Sequence, residues 1–434
     1  MKTDMFNIKG LEGKKTLKGE IEVGGAKNAA LKMMAASLLF SDKLTLKNVP
    51  EIEDIQRIAD LLSDMGVSVE KMGKNTYDIF VKNSVNTVLS PEIAKKIRSS
   101  VVVTGPLLAR EGRVVFPHPG GCVIGARPID FFLQSFEKMG ATVYTKENEY
   151  VIEAKNGKLV GTTLFLPAPS VTVTETIMMA SVLAQGTTVI KNAALEPEIA
   201  YMAEYLNMCG AKISGAGTPT ITIKGGGLLR SKKKAYVTMS DRIEAGSFLI
   251  LAALTAKDIT VTKCDPIHLE AVTDVLSRCG VDIEIGKRTL RIKHNPKKKN
   301  VYRAVNIKTH EYPGFPTDLQ APMAVFLTQV KGESMVHETI FEGRLAYAES
   351  LEGMGADITP MDPHRMLVKG PTSLHARNLV SPDLRAGLAF VLAAIVAKGE
   401  SVVHDIYNID RGYEFVEKRL QKIGVDIQRV SKEV

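Results

Sequence analysis

Two kinds of apolar segment alternate along this chain. In one, apolar residues recur at intervals of three and four, as in IEDIQRIADLLSDMG (52–66) and YEFVEKRLQKIG (413–424), the spacing of a helix with one buried face. In the other, small and aliphatic residues run almost unbroken and pass into a β-branched strand pattern. AALKMMAASLLFSDKLTLKNV, ETIMMASVLAQGTTVIKNA, AGSFLILAALTAKDITVTKC and AGLAFVLAAIVAKGESVVHDI are of this kind. Each amphipathic helix ends on one signature: a hydrophobic residue, Gly, Val or Ala, any residue, then Val or Ile. It occurs at Gly66, Gly140, Gly210, Gly280, Gly355 and Gly424, with spacings of 74, 70, 70, 75 and 69 residues. The pattern predicts a glycine helix C-cap followed by a strand.

Each unit therefore reads helix, strand, helix, strand, strand. Six α/β units exceed one core, and they divide three and three. The crossing is placed near MSDRIEAG (Met239–Gly246), with the early strand TLKGEIEVGG free to pair with the second half. Residues 23–240 are then an N-terminal globule carrying a cysteine loop, and 1–22 with 241–434 form the second.

Composition narrows the function classes. With 434 residues, 45% hydrophobic and 24% charged, the chain reads as a soluble globular protein with substantial cores. Its N-terminus is polar and its apolar runs are too short to span a bilayer, so the expected setting is the cytoplasm, with no membrane partner. Four cysteines without a C-x-x-C fit neither a disulfide framework nor a zinc site, so free thiols and no metal are expected. A net charge of +8 points to anionic partners. The basic runs SKKKA and NPKKKN lack interleaved aromatic residues, which argues against nucleic acid.

The repeat sorts the candidate residues. Cys209 and Cys279 occupy the slot held elsewhere by Met65, Met139, Met354 and Ile423, and are expected in the core; Cys264 falls at a strand end. Only Cys122, in PHPGGCVIGARPID, lies in a loop peculiar to its unit, where glycines and Arg127 favour a thiol that gives up its proton or acts as a nucleophile. Arg127 and Arg411 each stand 13 residues before a signature glycine, one in each half. Cations at helix starts run against the macrodipole, and Lys27 with Asn28, Arg98 and Arg385 repeat the anomaly, with Arg344 nearby. Together they suggest a shared anion site in the cleft between the halves, although each arginine alone fits a surface charge. Asp318, in GFPTDLQAP, fits an N-cap; near several cations it also fits a base for a substrate hydroxyl. Nucleotide-loop, dinucleotide and zincin signatures are absent from the sequence.

GGAKNAA, GPLLAREG, PGGCVIGARPID, EPEI, SDRIEAG, FPTDLQA, ETIFEGR, DLRAG and IDRGYE, in this order, resemble the enolpyruvyl transferases along nearly the whole chain. The resemblance implies an inside-out α/β barrel: two globular domains of three repeats each, joined by a double crossing. It implies transfer of the enolpyruvyl group of phosphoenolpyruvate to the 3'-hydroxyl of UDP-N-acetylglucosamine with release of phosphate, the first committed step of peptidoglycan synthesis, without a cofactor. By the same resemblance Cys122 is the general acid and the thiol alkylated by fosfomycin-type epoxides, and Asp318 takes the hydroxyl proton. Lys27, Arg127 and Arg411 hold phosphate and carboxylate, with Arg344 and Arg385 supporting closure. Asn28, Arg98, the run Arg127, Pro128, Ile129, Asp130 and Phe131, then Ala168, Pro169, Ser170 and Val171, and Ile340 bind the nucleotide sugar. Thr172 departs from the family's usual glycine, FEGRL lacks its usual asparagine, and KIRSS replaces the common MRAS. The alternatives are the shikimate-pathway branch of the fold and a non-catalytic sugar-nucleotide sensor.

Overall fold

The computed structural model describes residues 2–95, 98–118, 129–295 and 302–433. They fall into two compact units, one from residues 2–24 and 240–433 and one from the described residues of 25–239. Each unit has its own hydrophobic core.

At the centre of the first unit are the helices Arg242–Thr255, Gln320–Leu327 and Leu384–Val396, buried on every side over nearly their whole length. In the second unit Lys27–Ala36, Val101–Glu111 and Val171–Val182 are buried in the same way. Their mostly small and apolar residues favour this, since a helix apolar nearly all round has no face for water, and the charged Lys32 and Glu175 are buried as a pair. The amphipathic helices, such as Glu53–Asp64 and Glu270–Arg278, bury one side only.

The signature glycine stands one position beyond the helix C-cap, with φ between 86° and 112° at all six sites. In five of them the residue after the glycine donates its N–H to a leucine carbonyl five residues back: Val67 to Leu62, Ala211 to Leu206, Val281 to Leu276, Ala356 to Leu351 and Val425 to Leu420, at 3.0–3.1 Å. This is the Schellman closure, which needs a left-handed residue and joins two apolar side chains around it, so the sequence signature is the chemistry of one helix stop.

Three sheets belong to each unit among the described residues. Each is built round an antiparallel pair, such as Leu44–Lys47 with Thr76–Phe80, and five of the six add a parallel strand, as Leu17–Glu22 does beside Ala256–Thr262. The first strand, Lys2–Lys9, lies between Glu400–His404 and the last strand, Asp426–Glu433. Among the described residues, no helix is long and apolar enough to cross a membrane.

Candidate active site

In the first unit the site residues gather at the starts of the central helices. Asp318 lies in the single turn Thr317–Leu319 that leads into Gln320–Leu327, and its side chain caps neither. The N-cap alternative is thereby overturned: the carboxylate instead faces cations. Arg385, second residue of Leu384–Val396, donates from Nε to Asp318 Oδ1 at 2.8 Å and from Nη1 to the Tyr413 hydroxyl at 3.0 Å. Its backbone N–H is capped by Asp383, at 2.7 Å, which fixes where the guanidinium leaves the helix.

Arg344 completes the cluster, with Nη2 3.7 Å from Asp318 Oδ1 and Nη1 donating to Thr317 Oγ1 at 2.9 Å. Thr317 in turn donates to Glu338, at 2.8 Å. The other Glu338 oxygen accepts the backbone N–H groups of Ile340 and Phe341, at 2.9 and 3.2 Å, so one fully buried carboxylate holds both Ile340 and the turn behind Asp318. Burial alone would push the Asp318 carboxyl up, but Arg385, Arg344 and, more remotely, Arg242 outweigh it and hold the group well below the usual carboxylate range.

Arg411 does not open a helix, contrary to the sequence expectation. It is the C-cap of the short helix Tyr407–Asp410, and the segment after it carries Tyr413. The next helix, Val416–Lys422, begins only after the left-handed Phe415, later than the position the repeat suggests.

In the second unit Lys27 and Asn28 do open the helix Lys27–Ala36. Gly25 is required at its entry, since a Cβ there would lie 1.8 Å from the Asn48 carbonyl oxygen. Lys27 is buried and pairs with Asp54 Oδ2 at 2.5 Å. Arg98 opens the turn Arg98–Ser100 ahead of Val101–Glu111 and is half-buried. Ile129 is the buried N-cap of Asp130–Lys138, Asp130 is exposed, and Phe131 is half-buried. Ser170 caps Val171–Val182, accepting from Val173 N at 3.4 Å; Ala168 is exposed and Pro169 half-buried just before it. Thr172 sits in the first turn of that helix. Cys122, Arg127 and Pro128 lie outside the described residues.

The structure thus joins Asp318, Arg344 and Arg385 directly, and adds Glu338, Thr317, Tyr413 and Asp54, which the sequence reading did not assign. Three of these carried a signal: Glu338 and Tyr413 stand inside the family words around ETIFEGR and IDRGYE, and Thr317 inside FPTDLQA. The remaining cysteines, Cys209, Cys264 and Cys279, are buried free thiols. Burial raises all three, Cys279 to about 11, which removes them as nucleophiles.

This architecture is found among enolpyruvyl transferases. The enolpyruvyl transferase NikO from Streptomyces tendae superposes with a TM-score of 0.86 over 100% of both chains at 21% identity. EPSP synthase from Acinetobacter baumannii gives 0.73 over 99% of this chain and 100% of its own, at 20% identity. The sequence profile of the EPSP synthase (3-phosphoshikimate 1-carboxyvinyltransferase) family matches residues 11–420, and the chain belongs to that family. Among its full-length relatives are two named for a sugar nucleotide. UDP-N-acetylglucosamine 1-carboxyvinyltransferase of Desulfosudis oleivorans is 42% identical over 97% of this chain and 99% of its own. UDP-N-acetylglucosamine 1-carboxyvinyltransferase 1 of Caldanaerobacter subterraneus is 43% identical over 95% and 97%.

Proposed function

We propose that this chain transfers the enolpyruvyl group of phosphoenolpyruvate to the 3'-hydroxyl of UDP-N-acetylglucosamine, releasing phosphate, in the first committed step of peptidoglycan synthesis. The observation that carries the reading is full-length identity above 40% to relatives named for that reaction. The cluster of Asp318, Arg344 and Arg385 supports it. A carboxylate held ionised beside guanidinium groups suits a reaction that needs both a proton acceptor and cations for an anionic substrate.

The roles are those the family resemblance implies. The enol phosphate is a weak electrophile until C3 is protonated, which makes C2 cationic and open to the sugar oxygen. Cys122 delivers that proton, and Asp318 accepts the one lost by the 3'-hydroxyl. The C–O bond forms at C2, and loss of phosphate with a proton from C3 restores the double bond. Lys27, Arg127 and Arg411 bind phosphate and carboxylate, while Asn28, Arg98, residues 127–131, residues 168–171 and Ile340 hold the nucleotide sugar. Arg344 and Arg385 bind through the closing motion.

The finer fold reading is an inside-out α/β barrel of two threefold globules joined by a double crossing. Three all-buried helices in each unit support it. A cytoplasmic setting suits the free thiols. The test is release of inorganic phosphate from phosphoenolpyruvate, with UDP-N-acetylglucosamine in one arm and shikimate 3-phosphate in the other. Release is expected in the first arm alone; release in the second alone would replace this reading with the shikimate one.

A further inference from the structure

Arg429 lies on the last strand, opposite Phe6 on the first, and its guanidinium is shared among three carboxylates. It grips Asp410 with two bonds, 2.7 Å to Oδ1 and 2.8 Å to Oδ2. It reaches both oxygens of Glu417 at 3.3 Å and Asp4 Oδ2 at 3.2 Å, and lies over the Phe6 ring at 5.1 Å. Asp410 ends the helix Tyr407–Asp410, and Glu417 stands in the first turn of Val416–Lys422. One planar cation therefore holds both ends of the segment 411–415, which carries Arg411 and Tyr413. A point-charge ammonium does not offer this forked geometry.

The segment is held under strain. Phe415 has φ 42° and ψ 49°, the left-handed region that a bulky side chain avoids. Its ring is 45% exposed, so core packing does not impose the conformation. Such a backbone persists where its surroundings over-determine it, and the doubly anchored ends do so here.

We propose that Arg429 is a positioning residue for enolpyruvyl transfer, fixing the strained segment that presents Arg411 to the anionic substrate and Tyr413 to Arg385. This rests on the role given to Arg411 above. Arg429→Met in the full-length protein is expected to raise KM for phosphoenolpyruvate about tenfold or more, leaving KM for UDP-N-acetylglucosamine within about twofold. In an Arg411→Ala background Arg429→Met should add nothing. Phe415→Gly, which makes the left-handed backbone free of strain, should recover part of the loss. Arg429→Lys keeps the charge but not the fork, and carries the same comparison if the Met variant does not fold.

Positioning is also read without the reaction, by hydrogen exchange. Amides 411–415 should exchange about tenfold faster in Arg429→Met, with the sheets outside the last-strand sheet unchanged. Wild-type protein that releases no phosphate from either substrate pair overturns the functional reading alone. Unchanged exchange at 411–415, or a full additive effect of Arg429→Met on Arg411→Ala, overturns the proposal about Arg429.

Discussion

The carboxylate proposed to accept a proton, Asp318, sits 2.8 Å from a buried guanidinium, and this pairing governs what its substitutions do. Since Asp318 is no N-cap, Asp318→Asn removes charge from a cluster rather than a cap from a helix start. The turnover number should fall about 100-fold or more, the range for losing a general base. Folding should persist at a cost of about 1–2 kcal/mol, modest because the carboxylate is 31% exposed. The sign with pH follows from a folded-state proton affinity below the unfolded one. The charged form stabilises the native state above about pH 4, and that contribution disappears as pH falls further. Denaturant titrations of both proteins should show their difference narrowing below pH 4; a constant difference would mean the charge is immaterial. For Cys122 the contrast with the buried thiols decides the matter. Cys122→Ser should abolish epoxide alkylation and most turnover, while serine at Cys209 or Cys279 should do neither; mass spectrometry of the treated protein locates the adduct.

At the scale of elements, the helix stops were the most legible feature, because the Schellman closure is local. The hydrophobic residue, glycine and Val or Ala of the signature recur six times and announced the repeat, and five copies carry the leucine whose carbonyl closes the turn. The all-buried helices were legible for a similar reason, their long stretches of small and aliphatic residues. The polar links were not. Glu338 beside Thr317 and Tyr413 beside Arg385 join residues 21 and 28 apart, and nothing in local pattern says which buried charge meets which hydroxyl. Lys32 and Glu175 are such a link, tying Lys27–Ala36 to Val171–Val182 at 3.1 Å with both side chains buried. Burial pushes Glu175 up to about 7 despite the lysine. A raised acid stabilises the fold when protonated, so its contribution is full below about pH 4 and is lost as pH rises through about 7. Lys32→Met should therefore destabilise more at pH 9 than at pH 6, where proton uptake neutralises the abandoned carboxylate. Replacing both residues with Met should restore stability to within about 1 kcal/mol of wild type or above it. A Lys32→Met deficit independent of pH would show that Glu175 stays neutral throughout.

For the whole molecule the decisive contact is between the chain's two ends. Lys2 stands opposite Glu433, and the antiparallel pairing continues to Lys9 opposite Asp426. The first strand also pairs with Glu400–His404 on its other edge and buries Met5, Phe6 and Ile8. It is thus an interior strand contributed from across the whole sequence, which explains why the hydrophobic pattern of residues 2–9 alone did not disclose its partner. Two consequences can be separated. Removing residues 2–9 strips a central strand from a four-stranded sheet, exposes two edges and empties part of the core, so the truncated protein should be insoluble or lack a cooperative unfolding transition. Connectivity at that point should matter little, because adjacent termini permit circular permutation. Joining residue 433 to residue 2 by a Gly/Ser linker of about four residues, and opening the chain between the exposed Gly286 and Lys287, changes only the order of the segments. The permutant should melt within about 5 °C of the parent and keep phosphate release within about threefold. A permutant that fails to fold, beside a truncation that folds and works, would show that the first strand is not the interior strand of this sheet.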